Sequence, residues 1–479
     1  MANQNKFHGE TPTDFLIKLT KKHKKFLDEN KKPYVAIISD EHTEVYRIES
    51  NEYKGILQKM FRESTGKYMR DKNIKEVIEI ISNDAKVYGE QIPLKLRIAQ
   101  NGEHLYYDLG DIEWQTIKIS SKKWSIVHNQ NIIFKRYQHQ KAQCLPEGNG
   151  SVKELLEFIN VSNKQKILFI VTIISYFIPN LAHPIMFVYG EKGSGKSSIS
   201  KVLKELIDPS DIQVYAKPKN EKDMPQFLSK HWFAPFDNIS KLSSSESDDL
   251  CCAITEASFV KRALYLDDDE VSYKIRNCIL INCINIVAAK DDLIDRSVLI
   301  NLKRIADEKR MTDEDYWKNF IKAKPRILGA IFDVIVKAIR MFPDIKPPIL
   351  FRLADYTKWG FAIAQALGGL GDKFIEQYKQ NVQQQNREII DMNPVATTIV
   401  KFMEKKEKWE GSASHLLKSL EKIAFIEGIS IRNEFWVKSP AALTRRLNSI
   451  ESNLLQIGII YIHHGHKNYG SHIQLIKKE

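Results

Sequence analysis

Residues 184–198 read PIMFVYGEKGSGKSS, an apolar run that leads into a glycine-rich loop, and SISKVLKELI then continues with the periodicity of an amphipathic helix. The loop has the spacing G-x-x-x-x-G-K-S, and a strand, this loop and a helix in that order are the context of a phosphate-binding P-loop. Its glycines allow backbone N–H groups to face phosphate oxygens, and the positive end of the next helix points to the same place. The segment therefore predicts an α/β fold built around a nucleotide site.

The loop residues have expected places around a bound ATP. Lys196 is expected to bridge the β- and γ-phosphates, and Ser197 is expected to ligate Mg²⁺. The residues expected to surround the phosphates are Gly190, Glu191, Lys192, Gly193, Ser194, Gly195, Lys196, Ser197 and Ser198. The predicted cofactors are therefore ATP and Mg²⁺.

A P-loop also needs an acidic group at the end of a neighbouring strand. The stretch HWFAPFDNIS, residues 231–240, supplies Asp237 after an apolar run, and Asp237 is the expected second Mg²⁺ ligand, with an ordinary loop aspartate as the alternative. Pro235 counts against this interpretation, because proline removes a ladder donor from a central strand. Asn238 stands where many ATPases place a catalytic glutamate, so it is expected to orient a water without taking its proton, and Glu191 is the candidate base.

Two further polar residues complete the predicted site. The stretch NCILINCI, residues 277–284, indicates another buried strand, and Asn282 near its end is placed to polarise the attacking water. Arg296 follows a short helical stretch, and its guanidinium is expected to reach a phosphate of a neighbouring subunit, as an arginine finger does. The alternative is a surface arginine paired with Asp292 or Asp295.

The composition is that of an ordinary globular protein. Of 479 residues, 43% are hydrophobic and 28% charged, and 72 Lys and Arg against 60 Asp and Glu give a formal net charge of +12, which favours polyanions such as nucleic acid as partners. The five cysteines show no C-x-x-C spacing and the first residues lack the apolar core of a signal peptide, so a reducing cytoplasm is expected. Residues 167–178 are too short an apolar stretch to cross a membrane and predict a buried helix, so no membrane partner is expected.

The patterns along the chain predict four regions. They are an α/β region at 1–90, a small antiparallel β domain with a linker at 91–150, the ATPase region with lid helices at 151–392, and a C-terminal domain at 393–479. Within the first region, the basic segment 18–32 is expected to be a solvated helix face. The β domain interleaves basic and aromatic residues as single-strand binders do, and half-buried aromatics in an ordinary sheet are the alternative. These residues are Lys122, Lys123, Trp124, Lys135, Arg136 and Tyr137. The one biased tract is QNVQQQNRE, residues 380–388.

The C-terminal region predicts a winged-helix domain. Three helical patterns precede two strand-like runs, GIIYIHH and SHIQLIKK, and the third helix has Ser439 as its cap and Pro440 at its first position. This helix is expected to present Thr444, Arg445, Arg446 and Asn448 to DNA. Docking to another protein is the alternative. Four histidines of the wing, His463, His464, His466 and His472, are not expected to hold a metal, because H-H-x-H in a turn lacks an established ligand geometry.

The order of these motifs resembles that of AAA+ helicases from phages, plasmids and bacterial pathogenicity islands, including the MCM-like replication initiators of staphylococcal mobile elements. The resemblance rests on the P-loop, FDNIS at 236–240, SDDLC at 247–251, KRALYLDDDE at 261–270, DLIDRS at 292–297 and FRLADYTKWG at 351–360. It covers roughly residues 90–479. It implies an AAA+ P-loop ATPase core between an N-terminal α+β collar and the winged helix, assembled as a homo-oligomeric ring, usually a hexamer, around DNA.

The resemblance also assigns roles to residues. It implies that Lys196, Ser197 and Asp237 act on the subunit's own nucleotide, that Asn282 is sensor 1 and Arg296 the arginine finger, and that Arg352 is sensor 2 on a lid helix. Pairing of Arg352 with Asp355 is the alternative. Residues 259–275 look like a pre-sensor hairpin in the ring pore, where Lys261, Arg262 and Lys274 would contact DNA phosphates, and a purely structural hairpin is the alternative.

Together these expectations describe an ATP hydrolase that unwinds duplex DNA to initiate replication of a mobile element. The alternative is an ATP-controlled origin-binding protein or helicase loader that does not translocate. A small-molecule P-loop kinase is a third interpretation, which leaves the basic C-terminal region without a role.

Overall fold

The computed structural model of the chain describes residues 10–38, 42–128, 132–255, 258–262, 270–286, 290–432, 436–467 and 470–478. Contacts divide the chain into two units, one of Met1–Val287 with Ile300–Phe374 and one of Ala288–Leu299 with Ile375–Glu479. The second unit therefore starts inside a helix that precedes the predicted boundary at residue 392. It also takes in a short segment from the middle of the ATPase region.

Helices and strands alternate along most of the described chain. The α-helices are α1 (Pro12–Thr20), α2 (Asn51–Thr65), α3 (Asp71–Tyr88), α4 (Lys166–Ser175), α5 (Lys196–Ile207), α6 (Met224–Leu228), α7 (Ser244–Ile254), α8 (Asp291–Asp295), α9 (Asp313–Met341), α10 (Ala354–Ala366), α11 (Gly371–Met392), α12 (Pro394–Met403), α13 (Ala413–Ile426) and α14 (Pro440–Gln456). The strands are β1 (Lys24–Leu27), β2 (Pro33–Ile38), β3 (Thr43–Arg47), β4 (Glu90–Gln91), β5 (Ile98–Asn101), β6 (His104–Asp108), β7 (Thr116–Ile119), β8 (Trp124–Val127), β9 (Ile185–Gly190), β10 (Phe233–Phe236), β11 (Ser258–Arg262), β12 (Glu270–Lys274), β13 (Cys278–Cys283), β14 (Ser297–Leu302), β15 (Lys408–Ser412), β16 (Ile459–Lys467) and β17 (Gly470–Lys477).

The first region is a four-stranded sheet with helices α1, α2 and α3. Its strand order is β3-β2-β1-β4, and Leu16, Tyr53 and Ile74 belong to its buried core. The solvated helix predicted for residues 18–32 is wrong in its second half, because α1 ends at Thr20 and β1 follows. Residues 24–27 form a strand because they pair with β2. Buried Phe26 lies opposite Tyr34 and stacks on it with ring centroids 5.8 Å apart.

The region predicted as a small antiparallel β domain contains the antiparallel sheet β5-β6-β7-β8. Lys122 and Lys123 are exposed, whereas Lys135 and Arg136 contact other side chains of the fold. The Arg136 guanidinium pairs with Asp108 at 2.5 Å and lies 3.8 Å from the ring centre of Trp114, and the Lys135 ammonium lies 5.5 Å from the ring centre of Tyr137. These contacts favour the half-buried alternative over a surface for single-stranded DNA.

The sheet that carries the P-loop has the order β10-β13-β9-β14. Strands β10, β13 and β9 are parallel to one another, and α4, the helix predicted from residues 167–178, is buried. Strand β10 is an edge strand, so the objection raised by Pro235 does not apply. The Pro235 carbonyl accepts from the N–H of Tyr215 at 2.9 Å on the side away from β13, so the missing proline N–H takes nothing from the β13 ladder.

The second unit has a core of its own between α12, α13, α14 and a three-stranded sheet. The sheet order is β15-β17-β16, and Leu416, Leu443 and Ile473 are fully buried in the core. The Ser439 hydroxyl caps α14 by accepting from the Ala442 N–H at 3.2 Å, as predicted. Strand β15 is an addition to the predicted order of helices and strands. Among the described residues, no helix has the length and apolarity that a membrane crossing requires.

Candidate nucleotide and DNA sites

The glycine-rich loop joins β9 to α5 in the predicted order. Strand β9 ends at Gly190 and α5 begins at Lys196. A Cβ atom on Gly190, whose φ is +145°, would stand 2.2 Å from the Leu302 carbonyl oxygen, so only glycine fits there. Gly195, with φ +86°, turns the chain into the helix in a conformation that glycine adopts without strain.

The Lys196 ammonium lies inside this loop. Its Nζ donates to the carbonyl oxygens of Gly190 and Glu191, both at 2.7 Å, and lies 3.4 Å from the Ser194 hydroxyl. Partial burial lowers the pKa of Lys196. The cation is therefore held by weak acceptors at the place where the motif predicts phosphate, and an anion there would be a stronger partner.

Three predicted residues meet beside the loop. The Ser197 hydroxyl lies 3.3 Å from each carboxylate oxygen of Asp237. The Asn282 side-chain amide donates to the same carboxylate and lies 3.5 Å from the Ser197 hydroxyl. Parallel strands end at the same edge of a sheet, which brings residues of β13 and the residue after β10 to the start of α5. A hydroxyl and a carboxylate are oxygen ligands of the kind Mg²⁺ prefers, so the residues present fit that ion.

The remaining loop predictions concern residues at the surface. Glu191 and Lys192 are exposed and Ser198 is half-buried. Asn238 is exposed and has the left-handed φ of 54°, which asparagine tolerates better than most residues. The roles of Glu191 and Asn238 in activating water stay predictions.

Arg296 follows the last residue of α8, in the segment that groups with the second unit. Its guanidinium forms an ion pair with Asp292 and also donates to the Asp292 carbonyl oxygen at 3.3 Å. The pairing offered as the alternative is therefore present in the single chain. Arg352 is exposed and lies two residues before α10, so the prediction that it sits on a lid helix is wrong, and its role as a sensor stays a prediction.

Two residues that no sequence pattern indicates, Ile305 and Arg310, lie beside Gly193 of the glycine loop. The Ile305 N–H donates to the Gly193 carbonyl oxygen at 3.2 Å. The Arg310 guanidinium lies 3.4 Å from where a Cβ atom of Gly193 would stand, and it pairs with Asp307 at 3.2 Å. More than a hundred residues separate these groups from the loop, so no local pattern points to them.

The two arms of the predicted hairpin are present. Strands β11 and β12 pair antiparallel just before β13, with Lys261 opposite Val271 and Lys274 opposite Ser258. Arg262 lies opposite Glu270 at the end of the described ladder. The turn at 263–269 lies outside the described residues.

The predicted DNA-reading residues of α14 differ in their surroundings. Arg445 is exposed and Arg446 half-buried. The Thr444 hydroxyl donates to the Pro440 backbone carbonyl oxygen at 3.2 Å, and the side-chain amide oxygen of Asn448 accepts from the Tyr461 hydroxyl at 2.8 Å. Arg445 and Arg446 are therefore the more available of the four.

The wing histidines contact neighbouring polar groups. Nε2 of His463 lies 2.5 Å from the Ser471 hydroxyl, and Nε2 of His464 lies 3.3 Å from the Gln474 amide oxygen. Within the part of the chain that the structure describes, no three His, Cys, Asp or Glu side chains come together as a metal site.

Two family models match the chain from residue 152 onward. The model of the actinomycete integrative conjugative element replication protein matches residues 152–386, and that of the RepA C-terminal domain of these elements matches residues 395–479. The chain is therefore a replication protein of a mobile genetic element. Along the matched residues it is similar to the RepA proteins of actinomycete integrative conjugative elements.

Solved structures of the NrS-1 C-terminal region are also similar to the chain. The A-form apo structure is 16% identical, covers 98% of this chain and 100% of that chain, and has a TM-score of 0.42. A second apo structure of this region is 14% identical with a TM-score of 0.40, at 98% and 100% coverage. No curated protein matches the chain.

Proposed function

We propose that this replication protein is an ATP-dependent, ring-forming DNA helicase of the MCM-like AAA+ kind. Its expected parts are a P-loop ATPase core, an N-terminal α+β collar and a C-terminal winged helix. The observation that carries the proposal is the convergence of Ser197, Asp237 and Asn282 beside Lys196 at the end of β9. The match to replication proteins supports DNA as the other partner.

The residues of the cluster have distinct tasks with ATP bound. Lys196 leaves the Gly190 and Glu191 carbonyls for the β- and γ-phosphates. Ser197 and Asp237 hold Mg²⁺, which when bound neutralises phosphate charge. Asn282, fixed by its bond to Asp237, is placed to orient the attacking water. Arg296 leaves Asp292 for the nucleotide of the neighbouring subunit, where its charge stabilises the transition state.

DNA would be held at two places. In the pore, Lys261, Arg262 and Lys274 of the hairpin contact the phosphates of one strand, and movement of the hairpin with the nucleotide state draws that strand through. At the duplex, Arg445 and Arg446 of α14 contact the origin. Both contacts depend on phosphate charge, so DNA binding should weaken steeply as salt rises.

The test is ATP turnover and strand separation by the hairpin variant Lys261→Ala/Arg262→Ala. The helicase proposal predicts that this variant still binds duplex DNA through α14 and still turns over ATP, but no longer separates a forked duplex. Lys241→Ala, a change of an exposed lysine outside both sites, is the control and should unwind normally.

The same experiment identifies the alternatives. A wild-type protein whose ATP turnover rises with DNA but which separates neither polarity of fork is an initiator or loader. Turnover that DNA does not change contradicts both assignments and favours a small-molecule kinase.

A further inference from the structure

The amide-rich tract 380–388 lies on α11, and three of its amide side chains are buried. Asn381, Gln385 and Asn386 are at most 5% exposed. Buried amides cost free energy unless they are hydrogen-bonded, so side chains of this kind inside a protein usually have specific partners. All of their partners described below belong to the second unit.

At one end, α11 holds the chain just after Arg296. The Asn381 amide accepts from the Leu299 N–H at 3.0 Å and donates to the Leu299 carbonyl at 2.7 Å. Gln385, one turn further on the same face, donates to the Ser297 carbonyl oxygen. The first residues of β14 are therefore bonded to side chains of α11 on both sides of Val298.

The short helix before Arg296 is fixed to the same place. The Ser297 hydroxyl donates to the Leu293 carbonyl oxygen of α8. Leu293 and Ile294 are buried. The backbone on both sides of Arg296 is thus held, while its guanidinium reaches Asp292 at the surface.

At the other end, α11 is bonded to α14. The side-chain amide oxygen of Asn386 accepts from the Asn453 side-chain amide at 2.7 Å. The Asn386 amide nitrogen donates to the Gln456 side chain and to the Val382 carbonyl oxygen. We call Asn381, Gln385, Asn386, Asn453 and Gln456 the amide ladder. Through α11, these side chains connect the strand that follows Arg296 to the helix with the predicted DNA contacts.

We propose that the amide ladder makes α14 and the segment that carries Arg296 move as one body, so that DNA bound to α14 sets the position of Arg296 at the neighbouring subunit's nucleotide. Four of these side chains are buried and only Gln456 is exposed, and a buried, hydrogen-bonded polar network is directional and rigid. The ladder residues are then positioning residues of the ATPase. This inference rests on the proposed function.

A charge interaction points the same way. Burial raises the pKa of the Asp291 carboxyl group at the start of α8, and the nearby Arg446 of α14 acts in the opposite direction. Arg446 is one of the predicted DNA contacts. A DNA phosphate that takes Arg446 therefore removes a charge partner from the helix that precedes Arg296.

The test cuts the ladder at Asn386. Asn386→Ser removes the bonds to α14, while the serine hydroxyl can still bond to the Val382 carbonyl. Gln383→Ser, on the same helix but exposed, is the matched control. We expect Asn386→Ser to bind DNA within about twofold of wild type and to keep its DNA-free ATP turnover and its KM for ATP, but to lose the stimulation of kcat by DNA. The control should keep that stimulation.

Asn381→Ser cuts the other end and should give the same result. Both variants are assayed at a temperature at which circular dichroism shows them folded. Full DNA stimulation in either folded variant overturns the inference. The proposed function itself fails if wild type has no ATP turnover, or if Arg296→Ala hydrolyses ATP at the wild-type rate. Results from the ladder variants alone do not bear on the proposed function.

Discussion

The Ser197 hydroxyl lies 3.3 Å from both carboxylate oxygens of Asp237, across 40 positions of the sequence. Ser197 belongs to α5, the helix that begins at the glycine loop. Asp237 follows β10, an edge strand of the sheet that carries this loop. Asn282, from the strand between them, donates to the same carboxylate. The cluster is thus held by the sheet itself, a preorganised arrangement of the kind that the proposed phosphoryl transfer requires.

Replacing Asn282 by alanine should damage turnover more than binding. The change removes a donor to Asp237 and the group expected to orient the water, so kcat for ATP should fall by about 100-fold with little change in KM. Steady-state ATP hydrolysis measures both. Asn301→Ala, at an exposed position of β14, is the control. A rise in the KM for ATP without a fall in kcat would contradict the assigned role.

Arg310 should contribute to nucleotide affinity. Its guanidinium lies beside Gly193 and is half-exposed, so it can turn from Asp307 to a bound nucleotide. Arg310→Ala should raise the KM for ATP about tenfold, the effect of losing one charged hydrogen bond. Arg304→Ala removes another arginine paired with Asp307, at 3.9 Å, and should leave KM unchanged. Equal effects of the two changes would count against a specific contact.

Stability should fall in mild acid because of His183. This side chain is fully buried, and burial followed by the charge of Arg276 lowers its pKa from 6.5 to about 3. Below pH 6.5 the unfolded chain takes up a proton that the folded chain refuses, so the free energy of unfolding is highest above pH 6.5 and falls towards about pH 3. The slope from one such histidine is at most about 1.4 kcal/mol per pH unit.

The histidine effect is measured by urea unfolding at a series of pH values. His183→Leu should flatten the profile between pH 6.5 and 4, whereas His128→Leu, at an exposed position, should leave it unchanged. An unaltered slope in His183→Leu would show that other groups produce the acid sensitivity.

Asp208 should be a strong determinant of stability. It follows the last residue of α5 and is buried between Arg97 at 3.0 Å and Lys204 at 2.7 Å. Burial alone would raise the pKa of Asp208, but Lys204 and Arg97 hold it well below its usual range. Asp208→Asn leaves two buried cations without their anion, which should cost about 3–5 kcal/mol of unfolding free energy.

A surface pair provides the comparison for Asp208. Asp211 pairs with Lys141 at 3.3 Å, and both side chains are more than half exposed. Asp211→Asn should change the free energy of unfolding by less than about 1 kcal/mol, because water screens exposed pairs. Similar losses in chemical denaturation for the two variants would contradict the account of the buried network.

Local sequence patterns predict most of the helices and strands, but they do not predict which distant strands and side chains pair with one another. The P-loop context predicted β9 and α5, and period-two alternation predicted the sheet from β5 to β8, because these signals depend on near neighbours in sequence. Lys24 and Lys25 were expected on a helix, since their pairing with β2 has no local signal. Pro235 misled for a related reason, because the position of β10 at the sheet edge depends on strand order.

In the candidate site, too, some residues can be predicted from local sequence and others cannot. Lys196, Ser197, Asp237 and Asn282 were predicted because each stands at the end of an apolar run or in a known motif. Arg310 and the amide ladder were missed, although the tract 380–388 was visible, because nothing in the sequence indicates that its amides face β14 and α14. Only the folded chain reveals those partners.

The most direct test of the account is strand separation on a forked duplex with ATP and Mg²⁺, by wild type and Lys196→Ala side by side. Lys201→Ala, on the same helix α5, controls for the loss of a lysine. The account predicts that wild type and Lys201→Ala unwind the fork and that Lys196→Ala does not. Unwinding by Lys196→Ala at the wild-type rate would contradict it.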